Sequence, residues 1–202
     1  MPTLSTVLNS FSLAAFCLGF AVQAQSQAPA RPHATAETIY RSAAFGFTYR
    51  IPYGWVERTQ EMQGGKDSAK GDVLLAVFER PPQAAGDTVN SAVVIAAEPL
   101  AAYPGLKTAA DYLGPLTELT TSKGFKVDGD PSEVRVDSRR LVRADFSKAL
   151  NEKITMHQTT LVLLSKGKIV SFTLIADSSA AIDDLLDRLS FSFAGATQRP
   201  RK

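Results

Sequence analysis

The sequence predicts an α+β fold in which an antiparallel sheet is covered by helices on both of its faces, an α/β/α sandwich. Three observations lead to this prediction. Several strand-length segments are apolar at every position, a hairpin signal joins two of them, and two other segments have the apolar spacing of amphipathic helices. Because a strand that is apolar on both sides must be covered on both sides, the sheet needs one layer above it and another below it.

The segments that are apolar on both sides are the strongest strand signals. They lie at residues 73–78, 92–97, 161–164 and 169–175. The last two are joined by residues 165–168, in which Gly167 can supply the positive φ angle of an antiparallel hairpin turn. Residues 140–146 instead alternate between apolar and other side chains, so we expect a half-buried strand near an edge of the sheet.

The late segment, residues 179–189, predicts one covering helix. Apolar residues recur there at positions i, i+3, i+4 and i+7, which is the spacing of a single helical stripe. These residues are Ile182, Leu185, Leu186 and Leu189. We expect this stripe to face the sheet.

The middle segment, residues 108–123, predicts the second covering helix. A similar stripe is formed by Tyr112, Leu116 and Leu119. Thr108 and Asp111 have the spacing of a capping box, and Gly124 can end the helix. Because Pro115 has no N–H to donate, we expect a kink or two short pieces.

Residues 45–55, FGFTYRIPYGW, concentrate five aromatic residues in a chain that is only 8% aromatic. With the period of two of a strand, one side would carry Phe45, Phe47, Tyr49 and Ile51. This pattern predicts a strand that lays its aromatic side on the core, followed by a turn after which Trp55 folds back. The alternative is an exposed aromatic platform for a ligand or partner.

The amino-terminal end of the chain predicts an exported protein. The first 24 residues carry no charge, and an apolar run at residues 13–22 predicts a signal peptide that is cleaved near Ala24, although no basic residue precedes the run. Residues 25–37 predict a flexible leader, residues 38–194 the folded domain and residues 195–202 a basic tail. We therefore expect a periplasmic or extracellular protein with no stable membrane insertion after cleavage.

The composition disfavours several chemistries. Cys17 is the single cysteine and lies within the predicted signal peptide, so the processed chain would have no thiol for catalysis, a disulfide or a metal site. The sequence contains no G-x-S-x-G, H-E-x-x-H or phosphate-loop motif, and its net charge of +2 disfavours nucleic-acid binding. We therefore expect no cofactor, no metal site and no catalytic residue. Convergence of His157 with an acidic residue in a cleft would instead favour an enzyme.

The order of these elements resembles that of a known fold family. An aromatic strand runs into the turn at residues 52–55 and is followed by covered strands, a middle helix, a hairpin, a late helix and the closing segment 190–193. This order resembles the PsbP-like and DcrB-like domains, which are α/β/α sandwiches. The family includes an extrinsic subunit of the photosynthetic oxygen-evolving complex, a Ran-binding nuclear-import factor and bacterial envelope proteins of unknown role. The resemblance implies non-enzymatic partner binding and assigns no site residue.

These observations favour an exported, non-catalytic accessory or partner-binding protein of the cell envelope, with an unknown protein as its partner. The candidate partner surface is a basic stretch formed by Arg135, Arg139, Arg140 and Arg143. Because Asp137 and Asp145 are interleaved with it, this stretch can also be an ordinary solvated edge of mixed sign.

Two other functions remain open. One is the binding of a small amphipathic ligand between the sheet and the kinked middle helix, near Trp55 and Tyr112. A closed core would argue against this ligand site. The other is an enzyme of unrecognised type.

Overall fold

A computed structural model describes residues 37–63, 71–83 and 86–191. The predicted signal peptide and basic tail lie outside the described residues, as does all of the predicted leader except Glu37.

The elements follow one another in this order. The first part of the chain forms β1 (Ile39–Ser42), β2 (Phe47–Arg50), β3 (Val56–Glu57), α1 (Thr59–Gln63), β4 (Asp72–Phe78) and β5 (Ala92–Pro99). The middle part forms two 3-10 helices, Leu100–Ala102 and Ala110–Tyr112, and then α2 (Leu113–Ser122). The last part forms β6 (Lys126–Val127), β7 (Ser132–Val136), β8 (Arg139–Ala149), β9 (Thr155–Ser165), β10 (Lys168–Ala176), α3 (Ser179–Leu186) and β11 (Leu189–Ser190).

The strands form two antiparallel sheets. The larger sheet has the order β3-β4-β5-β10-β9-β8, and both β6 and β7 pair with the far side of β8. The smaller sheet has the order β1-β2-β11. The predicted hairpin at residues 165–168 is confirmed, because Lys168 pairs with Ser165 and Gly167 has a φ angle of +72°. The α+β class and the antiparallel sheet are therefore as predicted.

One face of the large sheet, called the front face here, carries Ile95, Leu161 and Phe172. Its cover is mixed, since the small sheet contributes Phe47 and α3 contributes Ile182 to the same apolar cluster. The ring of Phe47 meets that of Phe172 edge to face, with the centroids 5.0 Å apart. The front face is thus covered by a second sheet together with a helix, and not by a purely helical layer.

The aromatic stretch belongs to this core. Phe47, Tyr49 and Ile51 are buried, and Phe45 and Trp55 are half-buried against the same cluster. The strand is shorter than predicted, because Phe45 lies in the turn that precedes β2. The interpretation of these rings as core residues is confirmed.

The other face of the large sheet, called the back face here, carries Phe146, Val162 and Ile169. Tyr112 and Leu116 join these residues in a second apolar cluster, which is distinct from the cluster on the front face. The middle helix therefore contacts the back face over part of its area.

The middle helix begins and ends largely as the sequence predicts. The carboxylate of Asp111 accepts the backbone N–H of Thr108 at 2.8 Å, as a capping box requires. The segment divides into a 3-10 turn and α2, and Pro115 lies in the first turn of α2, where its missing N–H has no partner to lose. The predicted position of Leu119 is wrong, since Leu119 is 57% exposed. The buried stripe of the helix holds Leu113, Leu116 and Thr120, so it continues from Leu116 to Thr120 and not to Leu119.

Candidate functional site

A polar cleft of about 200 Å³ lies at one end of the front face. Arg143 and Asp145 of β8, His157 and Thr159 of β9, and Ser179 at the start of α3 line it. The strand register brings these side chains together, because Asp145 pairs with Thr159 and residues two apart on a strand share a face. The cleft therefore lies on the same side of β8 and β9 as the apolar core of the front face, at a different position along these strands.

A charged network occupies the cleft and is centred on Arg143, whose side chain is only 20% exposed. Its Nε donates to both carboxylate oxygens of Asp145, at 3.0 and 2.9 Å. Its two terminal nitrogens make longer contacts of 3.5 Å each, to the carboxylate of Asp183 on α3 and to the hydroxyl of Thr159. The guanidinium group thus ties β8, β9 and α3 together.

The two residues of β9 differ in their partners. Thr159 is 2% exposed, and its hydroxyl donates to the carboxylate of Asp145. His157 is half-buried, and its imidazole forms no hydrogen bond with the described part of the chain. Its imidazole is therefore available to a molecule that enters the cleft.

The chemistry of the cleft is limited by how its carboxylates are used. The convergence of His157 with Asp145 and Asp128 in one cleft is the arrangement that would favour an enzyme. However, Asp145 is held by Arg143 and Thr159 and not by His157, so no carboxylate among the described residues orients the imidazole as a general base requires. Within residues 37–63, 71–83 and 86–191, no group of three or more His, Cys, Asp or Glu could hold a metal ion.

The four arginines of the predicted partner surface lie on the β7–β8 hairpin, but they do not share one side of it. The strand alternation places Arg139 and Arg143 on the front-face side, while Arg135 and Arg140 lie on the back-face side. Arg143 belongs to the network in the cleft and is removed from the surface. The surface that remains is the pair Arg135 and Arg140, which are directly opposite each other on neighbouring strands.

This arginine pair is exposed and incompletely compensated. The nearest carboxylate among the described residues is that of Glu133, which lies 3.8 Å from the guanidinium of Arg140. Both of these side chains are 70% exposed, and ion pairs with this exposure contribute about 0–1 kcal/mol. Like charges directly opposite each other on paired strands repel. The pair is therefore a surface that an acidic group would stabilise.

The structure does not bring together the two residues of the predicted ligand pocket. Trp55 packs against the apolar cluster of the front face, and Tyr112 belongs to the cluster of the back face. Because successive side chains of β8 and β9 point to opposite faces, the sheet itself lies between these two clusters. A single pocket cannot be lined by both residues.

Tyr112 has an internal role that the sequence did not reveal. Its hydroxyl donates to one carboxylate oxygen of Glu98 at 2.7 Å, and the hydroxyl of Tyr103 donates to the other. The two tyrosine rings meet edge to face, with centroids 5.2 Å apart. Burial, together with the neighbouring carboxylate, raises the pKa of Tyr112 well above its ordinary value. This cluster fixes the 3-10 turns against the end of β5.

Comparison with known proteins supports the fold and goes no further. The sequence matches no known family profile and no curated protein. The solution structure of the cyanobacterial PsbP protein CyanoP from Synechocystis sp. PCC 6803 is similar to this chain, with a TM-score of 0.51 and 17% identity over 81% of this chain and 97% of that one.

Two further structures match with lower TM-scores. The Ran-binding protein Mog1p of Saccharomyces cerevisiae has a TM-score of 0.43 and 8% identity over 72% of this chain and 79% of its own. LpqN of Mycobacterium tuberculosis, which is involved in cell envelope biogenesis, has a TM-score of 0.39 and 15% identity over 78% of this chain and 86% of its own. Scores of this size add nothing to the assignment.

The chain is an antiparallel α+β protein, and its fold is PsbP-like. In the part of the chain that the structure describes, no helix is long and apolar enough to cross a membrane.

Proposed function

We propose that this chain is an exported, non-catalytic accessory protein of the cell envelope that acts by binding a protein partner. Export rests on the uncharged amino-terminal segment with its apolar run and small residues near Ala24. The binding role rests on one observation, the exposed cross-strand pair of Arg135 and Arg140 with a single weakly bound carboxylate beside it. Four of the five aromatic residues at positions 45–55 lie in the core or pack against it, and only Tyr53 of this stretch is exposed.

The proposed binding is electrostatic in origin. An acidic partner would reduce the repulsion between Arg135 and Arg140 and would be steered to them at low ionic strength. Because these side chains are in water, salt would weaken the attraction.

The binding role is tested by cross-linking in the cells that produce the protein. The wild type is compared with the double variant Arg135→Glu/Arg140→Glu and with Lys107→Glu/Lys153→Glu, which changes the net charge equally at two other exposed positions. We expect one partner to be captured by the wild type and by the lysine variant but lost from the arginine variant. Capture of the same partner by the arginine variant would contradict the assigned surface.

Export is tested separately. We expect sequencing of the purified protein to find an amino terminus close to Gln25. A chain that still begins with Met1 or Pro2 would refute processing.

The polar cleft favours a second candidate function, the binding of a small polar ligand or chemistry on it. The supporting observation is that His157 lies in a cleft with Arg143 and Asp145 and that its imidazole has no hydrogen-bond partner among the described residues. A screen of polar metabolites by thermal shift tests it, with His157→Ala as the matched variant. A compound that stabilises the wild type but not His157→Ala would support this candidate, and a screen without such a compound would count against it.

A further inference from the structure

The outer edge of β7 has backbone groups that point away from the sheet. Val136 pairs with Arg139 across the two-residue turn formed by Asp137 and Ser138, and Asp137 has a φ angle of 50°. The pair that flanks such a turn is hydrogen-bonded, and hydrogen-bonded pairs alternate with pairs that are not. The backbone N–H and C=O groups of Glu133 and Arg135 therefore face away from β8.

The same alternation explains the closeness of the arginine pair. Arg135 and Arg140 form one of the pairs that are not hydrogen-bonded, and side chains are closer together at such pairs. Among the described strands, β7 pairs only with β8. The outward-facing donors and acceptors of β7 and the two guanidinium groups thus lie at one edge.

We propose, building on the partner-binding function above, that β7 receives its partner by strand addition. The partner is an extended acidic segment whose backbone pairs with Glu133 and Arg135. Side chains of an added strand alternate between the two faces, so an acidic residue at every second position would lie on the back-face side, next to Arg135 on β7 and with Arg140 one strand further in. The backbone pairing supplies the register and the carboxylates supply the selectivity.

Charge disfavours the basic residues 195–202 of the chain itself as this segment. Residues 195–202 contain Arg199, Arg201 and Lys202 and no acidic residue, so they would be repelled by the arginine pair.

A second copy of the chain would compensate the positive charge of the arginine pair less well than an acidic segment. Antiparallel pairing of two β7 strands about Val134 would place Glu133 of one copy opposite Arg135 of the other, but it would bring in no carboxylate for Arg140 beyond the Glu133 already present. An acidic segment of foreign sequence places a carboxylate next to Arg135 and adds no positive charge to this edge, whereas a second copy adds two more arginines.

The test uses the purified protein and two synthetic peptides of eight residues, one of alternating Thr and Glu and one of alternating Thr and Lys. We expect the acidic peptide to bind and the basic peptide not to bind. Glu133→Pro removes one outward-facing N–H at an edge position, where proline is tolerated, and should weaken binding more than about tenfold. Glu133→Ala, the matched control, keeps that N–H and removes a competing carboxylate, so it should bind at least as tightly as the wild type.

A second measurement does not depend on any variant. The acidic peptide should slow amide hydrogen exchange at Glu133 and Arg135 in the wild type, while exchange at Val134, whose N–H already faces β8, should change little. Unchanged exchange at Glu133 and Arg135 with bound peptide would overturn strand addition. Circular dichroism checks that Glu133→Pro remains folded.

The remaining outcomes separate this inference from the proposed function. If Glu133→Pro binds normally while Arg135→Glu/Arg140→Glu does not, the side chains alone hold the partner, and strand addition fails while partner binding stands. Failure of the acidic peptide to bind overturns the inference, and the cross-linking experiment then decides the proposed function by itself. Sedimentation that shows self-association of the free protein, lost in Glu133→Pro, would replace the acidic segment with a second copy.

Discussion

The two ends of the front face are built on the same strands but differ in chemistry. On β9, Leu161 is fully buried in the apolar cluster of the front face, whereas Thr159 and His157, on the same side of the strand, line the polar cleft. On β8, Leu141 gives way in the same manner to Arg143 and Asp145. The alternation of a strand thus decides only which way a side chain points. The segments that cover the front face decide whether one of its ends is apolar or polar. We expect the stability of the protein to depend mainly on the apolar end.

The largest effect is expected from Phe47→Ala at the apolar end. Phe47 of the small sheet is fully buried against Phe172, so the removal of its ring leaves a cavity and should lower the free energy of unfolding by about 3–5 kcal/mol. Urea denaturation measures this change. The control is Tyr53→Ala, at an aromatic side chain that is 79% exposed, and it should change the free energy of unfolding by less than about 0.5 kcal/mol.

 A loss below about 1 kcal/mol for Phe47→Ala would contradict the view that this end carries the stability.

A smaller effect is expected from Asp145→Ala at the polar end. The substitution leaves the guanidinium of Arg143 with only its two 3.5 Å contacts, and the loss of a partner for a largely buried charged group costs about 1–3 kcal/mol. The double variant Asp145→Ala/Arg143→Met should recover part of this loss, because no unpaired charge then remains. A loss as large as that of Phe47→Ala would remove the distinction between the two ends.

The smallest effect at neutral pH is expected from Tyr49→Phe, which removes a polar atom from the apolar end. The hydroxyl of Tyr49 donates to the backbone carbonyl of Leu185 at 3.2 Å, and losing this bond should cost about 1 kcal/mol. Burial raises the pKa of Tyr49 far above its ordinary value.

The same variant has a pH dependence with a definite sign. Because the folded state holds the Tyr49 proton more tightly than the unfolded state, the stability that this proton contributes is complete below the unfolded pKa, near 10, and is lost as the pH rises toward the folded pKa. The wild type should therefore lose stability more steeply above pH 10 than Tyr49→Phe. Urea denaturation at pH 8 and pH 11 measures the difference, and parallel losses in the two proteins would show that Tyr49 does not titrate in this way.

Much of the fold could be predicted because its signals are local. The fully apolar segments and the glycine turn at residues 165–168 locate β4, β5, β9 and β10, and the period of two identifies Phe47 and Tyr49 as core residues. The small sheet could not be predicted in the same way. It depends on the pairing of β2 with β11, which are about 140 residues apart, and no local pattern in either strand specifies its partner.

The candidate sites were predictable to different degrees. Alternation alone places Arg140 and Arg143 on opposite sides of β8, so the division of the four arginines was available from the sequence. The cleft was not, because it needs the register that sets Asp145 opposite Thr159 and the position of α3 above them. The separation of Trp55 from Tyr112 likewise depends on which face each surrounding segment covers.

The pairing of β11 with β2 also governs when the protein can finish folding. Leu189 lies beside Tyr49, and the backbone N–H of Phe191 donates to the carboxylate of Asp137 at the tip of the β7–β8 hairpin, so the last described residues close both the small sheet and that hairpin. The ribosome must release Phe191 before these contacts can form, and contacts between such distant segments form slowly. Until then the small sheet lacks its third strand, and the apolar cluster around Phe47 stays incomplete.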